Sequence, residues 1–92
     1  MAKAKKLVPI KLDKVRHLYY NLNALEIIED LTGKPIDQVG ESVNMKTLKV
    51  LVYAGLIFED KNITLEEVGD MIGFEDIEAV SNAIGEAFKG LS

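Results

Sequence analysis

The sequence predicts an α+β domain, mostly α: an N-terminal β-hairpin followed by a compact bundle of about four helices around a buried central helix at 45–59. Three observations carry this. Leu48 to Phe58 reads LKVLVYAGLIF, with no charge from Val50 onward and only the Tyr53 hydroxyl polar. Two β-rich runs, 7–12 and 15–20, stand two residues apart near the start. Thr64 and Glu67 have the spacing of a helix capping box.

The central run comes first because it sets what the other elements must cover. Apolar residues at 48, 50, 51, 52, 56, 57 and 58 leave no wide polar face at helical period, so a helix here belongs inside the protein, with a buried strand as the competing reading of so short a run. It is too short to cross a bilayer, which takes roughly 20 apolar residues. Lys46, Lys49 and Glu59 flank it, and Asn44 is placed to cap it.

Taken in order, residues 1–6 form a basic tail with Lys3, Lys5 and Lys6, expected to be flexible and solvated, and 7–92 form one domain. In the expected hairpin, Asp13-Lys14 is the turn, Leu12 faces Val15 and Ile10 faces His17. Primed turns require φ > 0, for which Lys14 is a poor residue, and Pro9 must lie at an edge. Asn23 is expected to cap a helix with Glu26 reciprocating. Leu25, Ile28 and Leu31 give its stripe, Ile27 widens it, and Glu26, Glu29 and Asp30 face water. Gly33 and Pro35 end it.

Residues 36–40 read as a short helical turn or a loop, and Gly40, Glu41 and Ser42 lead into the central helix. A helix capped by Thr64 and Glu67 buries Leu65, Val68 and Ile72 and stops at Gly73. The last helix runs from about Asp76 to Lys89, with Ile77, Val80, Ile84, Ala87 and Phe88 on its apolar face and Leu91 just beyond. Gly85 is either a point of close helix approach or a tolerated glycine.

Charge and composition narrow the function classes. The net charge of −4 divides into +5 over residues 1–20 and −9 over 21–92, and an acidic body repels phosphate backbones. There is no cysteine, hence no disulfide framework or thiolate site, and the start lacks the apolar core of a signal peptide. A soluble cytoplasmic location is therefore expected. His17 is the single histidine and is expected to be a structural strand residue rather than a metal ligand or catalytic base. Adjacent carboxylates such as Glu29-Asp30 and Glu66-Glu67 diverge by about 100° on a helix and do not converge on a substrate. No phosphate-cradling loop is present. Neither catalytic nor metal-ligating residues emerge, no cofactor is implied, and the chain is expected not to be an enzyme. At 92 residues the core is modest, so association with a partner or a second copy is expected.

Two patterns bear on function. Residues 64–89 have the spacing of a helix-turn-helix, yet the second helix offers Asp76, Glu78 and Glu86 against Lys89, so binding of nucleic acid is not expected. An acidic regulatory or protein-interaction module of that shape is the alternative reading.

The other pattern covers about Val8 to Lys89. It comprises Asn23-Ala24-Leu25, Glu29 and Thr32-Gly33-Lys34, then Leu51-x-x-Ala54-Gly55-Leu56 followed by Glu59-Asp60, then Ile63-Thr64-Leu65-Glu66-Glu67-Val68-Gly69-x-x-Ile72. In order and spacing it resembles the small tail assembly chaperones of long-tailed bacteriophages, prophages and gene transfer agents. It departs from them in the hairpin turn, where Asp13-Lys14 stands in place of the usual glycine. The resemblance implies a non-enzymatic protein of the host bacterial cytoplasm. Such a protein coats the tape measure protein, hands it on for polymerisation of the tail tube protein, and is absent from the finished virion. An amphipathic helix face suits such a client, and Ile77, Val80, Ile84 and Phe88 are the expected contact residues, with the intramolecular core as the competing role for the same four.

Overall fold

The structure is a computed structural model that describes residues 7–39 and 43–89. The basic tail, the Gly40-Glu41-Ser42 lead-in and Leu91 lie outside the described residues. The architecture is the expected one: an antiparallel hairpin, β1 (Val8–Lys11) and β2 (Val15–Leu18), precedes a helical bundle. Its helices are α1 (Leu22–Thr32), α2 (Ile36–Val39), α3 (Met45–Leu56), α4 (Leu65–Met71) and α5 (Ile77–Lys89). A 3₁₀ turn, Phe74–Asp76, leads into α5. The short segment 36–39 is thus a helical turn, its first N–H held by the Glu29 carboxylate at 2.8 Å. Glu29 therefore caps the next element as well as facing water.

The hairpin register differs from the expected one by a residue. Val8 pairs with Leu18 and Ile10 with Arg16, so the loop spans Leu12-Asp13-Lys14 rather than two residues. The slip follows from burial. Val8, Ile10, Arg16 and Leu18 point inward, and Pro9, Lys11 and Val15 stay exposed. A one-residue shift would turn every side chain of a strand to the other face. The loop closes through the Leu12 N–H to the Lys14 carbonyl, and Asp13 accepts from the Lys14 N–H. No non-glycine residue among those described has positive φ, so this loop does not need a primed turn. Pro9 sits on an exposed position of a two-stranded sheet, where its missing N–H is tolerated.

The cap of α1 lies two residues before the expected one. Asn21, not Asn23, accepts the Ala24 N–H at 2.9 Å, which leaves Glu26 too far along to close a capping box. Tyr20 is buried and the Tyr19 N–H is tied to the Gly55 carbonyl, so the chain leaves the hairpin at residue 20 and turns at once into helix. The buried stripe is Ala24 and Ile28, flanked by half-buried Leu25 and Ile27, while Leu31 faces solvent. Gly33 closes the helix at φ 71°, donating to the Glu29 carbonyl.

Helix α3 is the organising element. Asn44 caps it through the Thr47 N–H, and it packs against α1, α4, α5 and β2. Leu48, Val50, Leu51, Val52, Ala54, Gly55 and Leu56 are all buried. It ends at Leu56, three residues short of the expected end, and 57–59 form a turn. There Glu59 receives the His17 N–H at 3.0 Å and Asp60 lies 3.5 Å from Arg16, so both carboxylates serve the hairpin. The Thr64–Glu67 capping box starts α4 with bonds in both directions. Met71 is the last helical residue, Ile72 is extended, and Gly73 donates to Asp76 to start the 3₁₀ turn.

Candidate functional site

The four expected contact residues take different places. Val80 and Ile84 are buried, at 1% and 6% exposure, where α5 meets β1, β2 and α3. Ile77 and Phe88 are half-buried against the same core. Val80 and Ile84 thus fill the competing, intramolecular role, because the hairpin needs a second layer and α5 supplies it. Phe88 stacks on Tyr20 with ring centroids 4.6 Å apart, and its edge lines a small cleft with Ile36, Val39 and Leu51. The Tyr20 hydroxyl, buried in this contact, donates to the Leu51 carbonyl, and burial pushes its pKa well above the usual tyrosine range.

Two larger grooves are open to solvent. One, of about 630 Å³, runs between the start of α1 and the end of α3, with Tyr19, Asn21, Ala54, Ile57 and Phe58 among its walls. Tyr19 and Phe58 stack there at 4.7 Å. The other, of about 470 Å³, lies between the first turns of α3 and the α4–α5 connection. Met45, Leu48, Ile72 and Ile77 form its apolar wall, and Lys46 and Lys49 its polar one. Ile77 is the expected contact residue that reaches this groove.

The groove residues on α3 escaped the sequence reading because 48–58 reads as core and its lysines as solvated flanks. The available signal was Lys46 and Lys49, three residues apart and hence on one helix edge, within a strongly acidic stretch of chain.

Three ion pairs lie around the hairpin. Arg16 is 6% exposed, and its guanidinium forks onto Asp13 at 2.8 and 3.0 Å. That hydrogen-bonded pairing lowers the Asp13 pKa to about 2 and raises that of Arg16. His17 Nδ1 lies 3.0 Å from Glu59. Partial burial pushes the Glu59 pKa up, but the hydrogen bonds from His17 outweigh it and the net shift is downward. These contacts clamp the hairpin to the end of α3, with each buried polar atom satisfied among the described residues.

Among the described residues no group of three or more His, Asp or Glu is placed to hold a metal ion, and no helix is long and apolar enough to cross a membrane. The exposed side of α5 carries Glu78, Ser81, Asn82 and Glu86, with Lys89 bonded to Glu86. Compared with protein-family models, with curated proteins and with solved structures, the chain finds no match.

Proposed function

We propose that this protein is a phage or prophage tail assembly chaperone. In this role it binds the tape measure protein in the host cytoplasm, keeps it soluble while the tail tube protein assembles, and does not enter the virion. The observation that carries the reading is the ordered series of sequence signatures from Asn23 to Ile72, with Thr32-Gly33-Lys34, Leu51-x-x-Ala54-Gly55-Leu56 and the Thr64 capping segment at matching spacings. Physical chemistry supports it. An acidic body carrying −9 over residues 21–92 keeps a complex with an apolar client in solution. Open grooves beside exposed Met45, Phe58 and Phe74 provide apolar surface for a helical client.

The test is co-expression with the tape measure protein of the same gene cluster, followed by size exclusion and pull-down. Co-elution with a soluble client supports the assignment. A client that precipitates regardless overturns it, and the α4–turn–α5 arrangement then merits a DNA titration at low salt.

A further inference from the structure

The groove between α3 and the α4–α5 connection is lined by lysines and no carboxylate, as are the cleft that holds Lys61 and the small one that holds Lys34 and Lys46, in a chain that is acidic over residues 21–92. Residues 21–92 hold fourteen carboxylates against five lysines. Two of those five, Lys46 and Lys49, line this groove, and no carboxylate does. Glu66 and Asp70, on α4 beside Gly69, are exposed but do not line it. Neither lysine makes an ion pair among the described residues. Being three apart on α3, they present two ammonium groups along one edge, about one helical turn long.

The rest of the wall is apolar: Met45 is exposed, Ile72 and Ile77 are half-buried, and Leu48 forms the buried floor. Met45, the first residue of α3, is 60% exposed. Ile72 and Ile77 close the other side, and Phe74, in the turn between them, is 90% exposed. A phenylalanine that exposed gains little from the fold; it stands in the chain between two lining residues without lining the groove itself. Methionine on an exposed apolar wall adapts to varied side chains. A β-carbon at Gly69 would press on the aliphatic chain of Lys49 at 3.2 Å.

We propose that this groove docks an amphipathic helix of a partner protein, one carrying Asp or Glu along the edge of its apolar stripe. The apolar stripe covers Met45, Leu48, Ile72 and Ile77, and the carboxylates reach Lys46 and Lys49. A second copy of this chain is a poor occupant, since no described helix offers such a stripe. On α1 the exposed leucines, Leu22 and Leu31, stand at opposite ends, and the exposed face of α5 is polar apart from Ala79 and Gly85. The biological meaning of the groove rests on the chaperone reading, with the client supplying the helix. Its chemistry stands apart from that reading and can be tested alone.

The probe is a fluorescein-labelled synthetic peptide of about five helical turns, with leucines at helical spacing and glutamates along one edge. Its control has lysine in place of each glutamate. Binding to the full chain is read by anisotropy at low salt, and the site by amide shifts in an ¹⁵N spectrum. The glutamate peptide is expected to bind, to move the resonances of residues 45–49 and 72–77, and to weaken as salt rises. The double variant K46E/K49E, on the surface of α3, is expected to weaken binding roughly tenfold or more. Gly69→Phe, which fills the groove, is expected to abolish it.

Equal binding of both peptides, absence of binding, or shifts confined to other faces would overturn the proposal. So would a concentration-dependent dimer that K46E/K49E dissociates, which would make a second copy the occupant. If K46E/K49E still solubilises the tape measure protein as the parent does, assignment of the client to this groove fails and the chaperone reading stands. If the parent binds the peptide but leaves that client insoluble, the chaperone reading fails and the groove stands.

Discussion

Tyr20 rests directly on the backbone of Gly55. A β-carbon at position 55 would lie 2.9 Å from the tyrosine ring and hydroxyl and 2.8 Å from Leu18 Cδ2. The missing side chain lets the end of the hairpin lie flat on α3, where the Tyr19 N–H reaches the Gly55 carbonyl at 3.0 Å and the Tyr20 hydroxyl reaches that of Leu51. One glycine in the middle of the most apolar helix thus sets how closely the sheet approaches the bundle.

Gly55→Ala is expected to destabilise the protein even though alanine is the better helix former. Overpacking against Leu18 and Tyr20 costs about 1–3 kcal/mol, and improved helix propensity offsets about 1 kcal/mol of that. Gly85→Ala is the matched control, since nothing lies within 4 Å of a β-carbon there. It is expected to stabilise by roughly 0.5–1 kcal/mol. Urea denaturation of the two variants checks both signs.

Lys14→Gly is expected to lower stability by about 0.5–1 kcal/mol. The loop of the hairpin uses no positive φ, so glycine relieves nothing in the folded state and adds freedom to the unfolded one. A gain in thermal midpoint would mean that the loop is strained in a way the backbone angles do not show.

Stability is expected to fall in acid through the Asp13–Arg16 pair. The folded pKa of Asp13, about 2, lies below its ordinary value of 3.8, so the pair contributes fully above about pH 4. That contribution is lost as pH falls from about 4 through 2. Asp13→Asn removes this part of the pH dependence. Denaturation midpoints between about pH 5 and 2 should therefore converge for parent and variant as acidity rises.

Ile84→Asp is expected to unfold the isolated protein, because it places an unpaired carboxylate among Val80, Ala87 and the hairpin. Ile84→Ala should cost about 2–5 kcal/mol. Phe88→Ala should cost less than full burial of an aromatic would imply, because the ring is half-exposed and its main loss is the stack on Tyr20. Circular dichroism melts of the three variants order these effects. A folded Ile84→Asp protein would favour client contact over core packing as the role of Ile84.

What the sequence determined by itself was the local grammar. The apolar run after Leu48 could be a helix or a buried strand, and its polar, helix-favouring flanks with Asn44 ahead of it favoured the central helix. Asn44 and the Thr64–Glu67 pair marked helix starts, and Gly33 marked a stop, because caps and left-handed ends depend on residues within one turn of each other. Tertiary structure decided whatever depended on distant partners. The hairpin register follows from which residues meet α3 and α5. Asn21 displaced Asn23 as a cap because Tyr20 is held by Leu51 and Gly55, thirty or so residues away. The places of the expected contact residues were decided the same way. An apolar helix stripe looks alike in sequence whether it covers its own sheet or a client. Packing buries Val80 and Ile84 under the hairpin and leaves Met45, Ile72 and Ile77 around an open groove edged by two lysines.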